Sequence, residues 1–518
     1  MKREEIMKNT RGTNRMPAWI ASAIFLLACI TGSAYAAQQT ESAARNMLTP
    51  EQVRSDISLA KEAYERVHPG YTRYTDIQEL DAAWQAIVAD AQSRGGLSVG
   101  DLYLRIQQAL TLIRCDHTKA NLPKSLLKER DVNPVYLPFR WLWLDGRAFV
   151  TVAGAATGLA VNDELLAVDG RPIEAMVEEV LPYIPYDGYT RWSRLAGVAE
   201  SLEFKGGAID HFGALLWKVQ PRAELTIKTV QGEVQTRQVQ RINHRQWTAL
   251  AGENASKRNF KDALQFERIG ENAAYIRIDT FVNYRQPVDP EDIYDPVFEA
   301  IQQEQRDLLI IDLRQNGGGS NDAAYGLLAN LITEPTQASL DMRARTLDFD
   351  GIRQHLWTWD KRALDPYRIA FSKNNDGSYS LRSWLTDDLD TIKPARYAFG
   401  GKIIALTSHA NSSGSTNLLA VIQSTGRATL VGEKTGGSAE GPTAGLLFTL
   451  TLPESNITTR IPYFQSRNNV TGFEHGMGVI PDIAVAMTSE ALLAGQDPAL
   501  EKAQAIIEKH AQLKAEIF

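Results

Sequence analysis

Four apolar runs in the second half of the chain, at residues 274–278, 308–313, 402–406 and 428–432, are separated by segments with helical spacing. Strands that are apolar on both faces need covering on both faces. They predict a mostly parallel sheet sandwiched by helices, spanning residues 266–500. In such a layer the loops at the strand ends carry the chemistry. The chain has 518 residues, more than one core organises, so further domains are expected. Residues 46–133 read as a small helical domain: Val53, Ile57, Ala60 and Tyr64 recur at helical spacing, as do Leu102, Ile106, Leu110 and Ile113. Breaks fall at His68-Pro69-Gly70 and Arg94-Gly95-Gly96. Residues 334–400, rich in exposed-type aromatics such as Trp357, Trp359, Tyr367, Phe371 and Trp384, read as an irregular insertion, either a lid or a poorly ordered excursion.

The first fifteen residues hold five basic side chains against Glu4 and Glu5, so the rest of the chain carries a formal charge of -10 against -7 for the whole. An acidic chain without a basic stripe lacks the footprint of a nucleic-acid binder. The basic start precedes an apolar stretch, residues 18–30, and the small-residue pair Ala34 and Ala36. Residues 1–36 therefore read as a signal peptide, which places the mature protein in the periplasm or cell envelope. A second reading is Leu26-Leu27-Ala28-Cys29 as a lipoprotein signal, which would attach the chain to a membrane through Cys29. In both readings Cys115 is the only free thiol left after processing and reads as a small buried hydrophobe. The eight His are scattered, and neither a metal-ligand cluster nor a cofactor motif is present in the sequence. Oligomeric state is not legible.

Three stretches have residue types suited to catalysis. Asp312-Leu313-Arg314-Gln315-Asn316-Gly317-Gly318-Gly319 ends an apolar strand, and adjacent glycines let backbone N–H groups converge as an oxyanion site requires. Residues 407–417 contain Ser412, Ser413 and Ser415 just ahead of an apolar helix, where free N–H groups and the helix dipole favour developing negative charge. Ser is also a preferred helix cap, so the pattern alone does not choose among the three. The third is a distant pair of segments, Cys115-Asp116-His117-Thr118 and Glu474-His475-Gly476-Met477-Gly478-Val479. His117 and Glu474 have the chemistry of a base and its orienting partner, although spacing does not show that they meet.

Between the helical and α/β regions, residues 134–242 are strand-rich, and the run from Gly158 to Gly170 places a turn, a strand and an Asp-Gly hairpin signal in succession. This region resembles a PDZ domain with a helical insertion over residues 171–213. Residues 308–319, 413–437 and 478–483, with Gly426-Arg427-Ala428-Thr429-Leu430-Val431-Gly432-Glu433-Lys434-Thr435 as the nearest match, resemble the C-terminal processing peptidases, or tail-specific proteases. The order of helical, PDZ-like and α/β regions fits the same family. The resemblance implies a crotonase-like α/β peptidase core and a serine endopeptidase acting on polypeptide substrates, with capture of their C-termini as a further expectation.

The family's serine/lysine branch carries a Lys where this chain has Ser438, so the resemblance is closer to the tricorn-core-like Ser/His branch. It implies Ser413 as nucleophile, His117 as base and Glu474 as the third member. Glu474 to Gly478 runs one residue longer than the family's usual spacing. The implied oxyanion donors are the N–H groups of Gly318, Gly317 and Gly414. A catalytically inactive binding protein for peptides or apolar ligands on the same fold is the alternative, as is a PDZ-type adaptor.

Overall fold

The protein is described by a computed structural model over residues 47–201, 203–252 and 259–517. The segment 1–36 that reads as a signal peptide, with Cys29 in it, lies outside the described residues.

Three helices pack together at the start of the described residues. Helix Pro50–Val67 starts at a capping box in which Thr49 and Gln52 satisfy each other's free N–H groups. It buries Val53, Ile57, Ala60 and Tyr64 on one face. Helix Ile77–Arg94 stops at Gly95, whose φ of 71° lies in the left-handed region where a side chain would be strained. Helix Val99–Thr111 buries Leu102, Ile106 and Leu110 against the other two.

The PDZ-like domain is an antiparallel sheet of Phe139–Leu144, Arg147–Ala153, Glu164–Val168, Arg222–Lys228 and Val234–Gln240, in that order. Asp169 and Gly170 both have positive φ, at 51° and 74°, which is the turn that suits the twist of a tight hairpin. The insertion contains helices Ile173–Val180 and Ala208–Leu216. Between them, residues 186–193 leave the domain and cross to the loops of the α/β layer.

The α/β layer is a six-stranded sheet ordered Leu264–Ile269, Ala273–Ile278, Leu308–Asp312, Lys402–Thr407, Ala428–Gly432, Ile483–Ala484, parallel after its first pair. Leu309, Ile311, Ile403 and Ala405 face helices Pro290–Gln303, Asn321–Leu331 and Ser413–Ser424. Leu308, Ile310, Ile404 and Leu406 face the opposite way, against Ala499, Ala503 and Ile507 of helix Pro498–Ile517. The strands are apolar throughout because both faces are covered.

Residues 334–400 are more ordered than their composition suggests. They supply strands Ser339–Ala344, Leu356–Trp357, Phe371–Lys373 and Tyr379–Leu381 to a second sheet built on the long antiparallel pair Thr443–Thr451 and Thr458–Asn468. Strand Lys119–Asn121, two residues beyond His117, joins the same sheet by pairing with Thr458–Arg460. The helical domain docks there too. Asp56 is fully buried and accepts the N–H groups of Glu454 and Ser455 at 3.0 and 2.9 Å, while Tyr64 Oη donates to the Arg460 carbonyl at 2.8 Å.

Removing the Asp56 carboxylate orphans backbone donors at this junction. Asp56→Ala should cost about 1–3 kcal/mol of stability, against no measurable change for the exposed Glu51→Ala, with urea denaturation as the measurement.

Candidate active site

Strand Lys402–Thr407 ends beside strand Leu308–Asp312, so the loops that follow them emerge side by side. Asn411 fastens the two together. It is fully buried, and its Nδ2 donates to the carbonyls of Leu313 and Asn316 at 2.6 and 3.1 Å. Its carbonyl accepts the N–H groups of Gly436 and Gly437 at 2.7 and 2.9 Å. Three loops are therefore held by one side chain and its peptide.

The chain then enters helix Ser413–Ser424 through a sharp turn. Ser412 is extended, whereas Ser413 has a φ of 49°, in a region that non-glycine residues enter at an energetic penalty. Surrounding packing enforces this. A Cβ on Gly318 would lie 2.7 Å from the Ser412 carbonyl oxygen and 2.9 Å from Ser413 Cβ, and one on Gly437 would lie 3.2 Å from Ser413 N. Only glycine allows the backbone to come this close. Ser413 is partly exposed at the helix start, whereas Ser415 is buried and its Oγ accepts from Asn411 Nδ2 at 3.1 Å. Geometry thus separates the three serines that the sequence pattern left equivalent.

His117 reaches the same place from the helical domain. Its Nδ1 lies 2.6 Å from Asp116 Oδ1, and the other carboxylate oxygen, Oδ2, accepts the hydroxyl hydrogen of Ser412. The His117 segment and the Ser413 turn are thereby tied through adjacent residues. The segment is braced by Thr118, whose Oγ1 is 2.8 Å from Nε2 of the buried His68. Burial pushes the His68 pKa down to about 3, so this ring is a neutral strut.

For His117, burial disfavours the imidazolium, but the charge and hydrogen bond of Asp116 outweigh it, with a smaller contribution from Cys115. The pKa is held well above the ordinary histidine value. Burial disfavours the Asp116 carboxylate in turn, and the charge and hydrogen bonding of His117, together with the Ser412 hydroxyl, hold its pKa below the usual value. The thiol of Cys115 lies close enough that Cys115, Asp116 and His117 offer ligand atoms within 4.8 Å of one another. Asp116 Oδ1 and His117 Nδ1 approach to 2.6 Å as an ion-pair contact, although neither atom makes an aligned hydrogen bond, and this is shorter than the spacing of two ligands around one ion.

Glu474 does not join this cluster. It is exposed, and its carboxylate has no polar partner among the described residues. Its neighbour His475 instead pairs with Glu440 at 2.9 Å, which also accepts from Tyr74 Oη at 2.7 Å and pairs with Arg73. Glu474 lies on the outside of a turn closed by the Met477 N–H on its carbonyl. Asp116, next to His117 in sequence, is the carboxylate that lies against its imidazole.

The Gly318 N–H donates to Asn316 Oδ1 at 2.8 Å, so it is occupied in this conformation. The N–H groups of Gly317 and Gly414 have no acceptor among the described residues. Lys434 is exposed, its ammonium 5.1 Å from the centre of the Trp192 ring, and Ser438 is buried.

Residues 272–485 match the family described as peptidase family S41, and residues 133–248 match that of a PDZ domain. The chain carries a peptidase family S41 domain. It is a serine-type peptidase with a PDZ domain ahead of its catalytic layer. The fold is also that of mature CPAF complexed with lactacystin, at a TM-score of 0.60 and 16% identity over 90% of this chain and 99% of that one. The crystal structure of a CPAF mutant matches with a TM-score of 0.61 and 15% identity, over 88% of this chain and 96% of that one.

The two glycines of the strand-end loop should respond differently to a methyl group. Gly318→Ala, blocked both by its φ of 98° and by the Ser412–Ser413 backbone, should lower kcat by about 10²-fold or more, whereas Gly317→Ala meets only the Ala410 carbonyl at 3.8 Å and should stay within about tenfold. Steady-state peptidase kinetics of the two variants measure this.

Proposed function

We propose that this chain is an exported endopeptidase of the Ser/His type that cleaves polypeptide segments, with Ser413 as nucleophile, His117 as base and Asp116 as the carboxylate that orients it. The observation that carries the reading is the left-handed backbone at Ser413, a strained turn from strand to helix that lifts one hydroxyl out of the packed layer. No packing role requires a serine there.

Because the Asp116 carboxylate sits 2.6 Å from Nδ1, Nε2 is the atom left to take the hydroxyl proton. Ser413 Oγ attacks the scissile carbonyl, and the N–H groups of Gly414 and Gly317 at the mouth of the loops receive the oxyanion. The imidazolium formed on His117 is stabilised by Asp116 and passes its proton to the departing amine. Water then repeats the sequence on the acyl-enzyme. Export rests on the segment 1–36, with lipidation at Cys29 as its variant. Capture of a substrate C-terminus rests on the PDZ domain, since such domains add an extended peptide as a strand and hold its end.

Ser413→Ala and His117→Ala should each lower kcat by about 10³-fold or more, and Asp116→Ala by a comparable factor, while Glu474→Ala and Lys434→Ala should retain most activity. A Glu474→Ala variant as inactive as Asp116→Ala would return the third position to Glu474.

The base must be neutral to accept a proton, and Asp116 favours its charged form. Therefore kcat/KM should fall on acidification through a pKa above the unperturbed value of about 6.5. A limb at or below that value contradicts the pairing. For terminus capture, a C-terminally amidated unstructured substrate should show a higher KM with little change in kcat compared with its free-acid twin. Identical kinetics would remove tail recognition and leave the endopeptidase.

A further inference from the structure

Residues 186–193 of the PDZ-domain insertion form a strap across the catalytic loops. The Gly188 N–H donates to the Arg114 carbonyl at 2.9 Å, three residues before His117, and the Tyr189 N–H donates to the Gly476 carbonyl at 2.8 Å. Thr190 Oγ1 donates to the Gly436 carbonyl at 2.6 Å, and Trp192 Nε1 donates to the Thr435 carbonyl at 2.9 Å. A Cβ on Gly188 would lie 2.2 Å from the Gly476 carbonyl oxygen, so the strap is pressed against its neighbours.

Asp187 points inward from this strap. Its residue is 2% exposed, and its Oδ2 accepts the Ser438 N–H at 2.8 Å. Its Oδ1 is buried without a hydrogen-bond partner, a costly arrangement that packing alone does not call for. The charged and titratable groups facing it are Asp116 from the base segment and Arg73 and Tyr74 from the helical domain, with Arg73 already paired to Glu440 at 2.7 Å.

We propose that Asp187 is a positioning residue of the peptidase site: through the Ser438 N–H it holds the 435–438 loop against the nucleophile turn, and it places a second carboxylate behind the Asp116–His117 pair. This rests on the Ser/His reading above. The consequence is that the PDZ-domain insertion is part of the catalytic apparatus, because the peptidase layer alone lacks the group. Burial, then the like charge of Asp116, push the Asp187 pKa up to about 6, so its charge changes within the range where a histidine base operates. A second negative charge behind the pair favours the imidazolium and raises the pH at which His117 becomes a base.

The test compares pH profiles of kcat/KM on a quenched-fluorescent unstructured polypeptide, using the full chain. Asp187→Asn keeps an acceptor for the Ser438 N–H but loses the charge. Its acid limb should move to lower pH by about half a unit or more. Thr190→Val loosens the strap without changing charge and should lower kcat with the limb unmoved. If Asp187→Asn fails to fold, Asp187→Ser removes the same charge and is read in the same way. A wild-type chain that cleaves, with a neutral variant whose profile superimposes on it, overturns the role of Asp187 while leaving the peptidase intact. A wild-type chain without turnover at any pH counts instead against the Ser/His reading.

Discussion

The hydrogen bond from the Ser412 hydroxyl to the Asp116 carboxylate joins segments 296 residues apart, and the site exists only while both ends are held. At one end, the nucleophile turn hangs from two parallel strands through Asn411. At the other, the base segment is fixed by the His68–Thr118 strut and by strand Lys119–Asn121, which pairs into the sheet formed by the C-terminal half. The helical domain is thus no detachable cap. Its docking through Asp56 and Tyr64 ties the domain that leads into His117 to the sheet of the C-terminal half.

Two costs are concentrated at this point. Asp116 and His117 are each only about a fifth exposed, and burial opposes the charge on each. Their mutual attraction and the Ser412 hydroxyl offset that opposition. Ser413 is held in a backbone conformation that its side chain disfavours. Neither arrangement is what stability alone would select, since apolar residues would pack more cheaply in the first case and glycine would relieve the second. Their coincidence at one end of a parallel sheet is the physical ground for reading the position as catalytic.

The layer architecture was legible because its cause is local: runs such as 308–312 and 402–407 must be apolar on both faces wherever helices cover them. Helix Pro50–Val67 was legible from its period, and the turn at Asp169–Gly170 from its chemistry. Residues 334–400 were not, because their short strands make sense only beside the pair Thr443–Thr451 and Thr458–Asn468. Among the serines, resemblance pointed to Ser413, and geometry added the reason that Ser415 is buried against Asn411. Asp116 stood in view next to His117, yet nothing in its spacing ranked it above Glu474. Asn411 and Asp187 act across 95 and 251 residues of sequence, respectively, where no periodicity or motif reaches.

The central claim is that one strained serine, activated by the Asp116–His117 pair, forms the acyl-enzyme. Its most direct test is reaction of the full chain with a serine-directed fluorophosphonate, followed by peptide mapping of the adduct by mass spectrometry. The account predicts a single adduct on Ser413, formed rapidly in the wild type and slowed by about 10³-fold or more in His117→Ala. An adduct on Ser412 or Ser415, or labelling of Ser413 at an undiminished rate without His117, would contradict it.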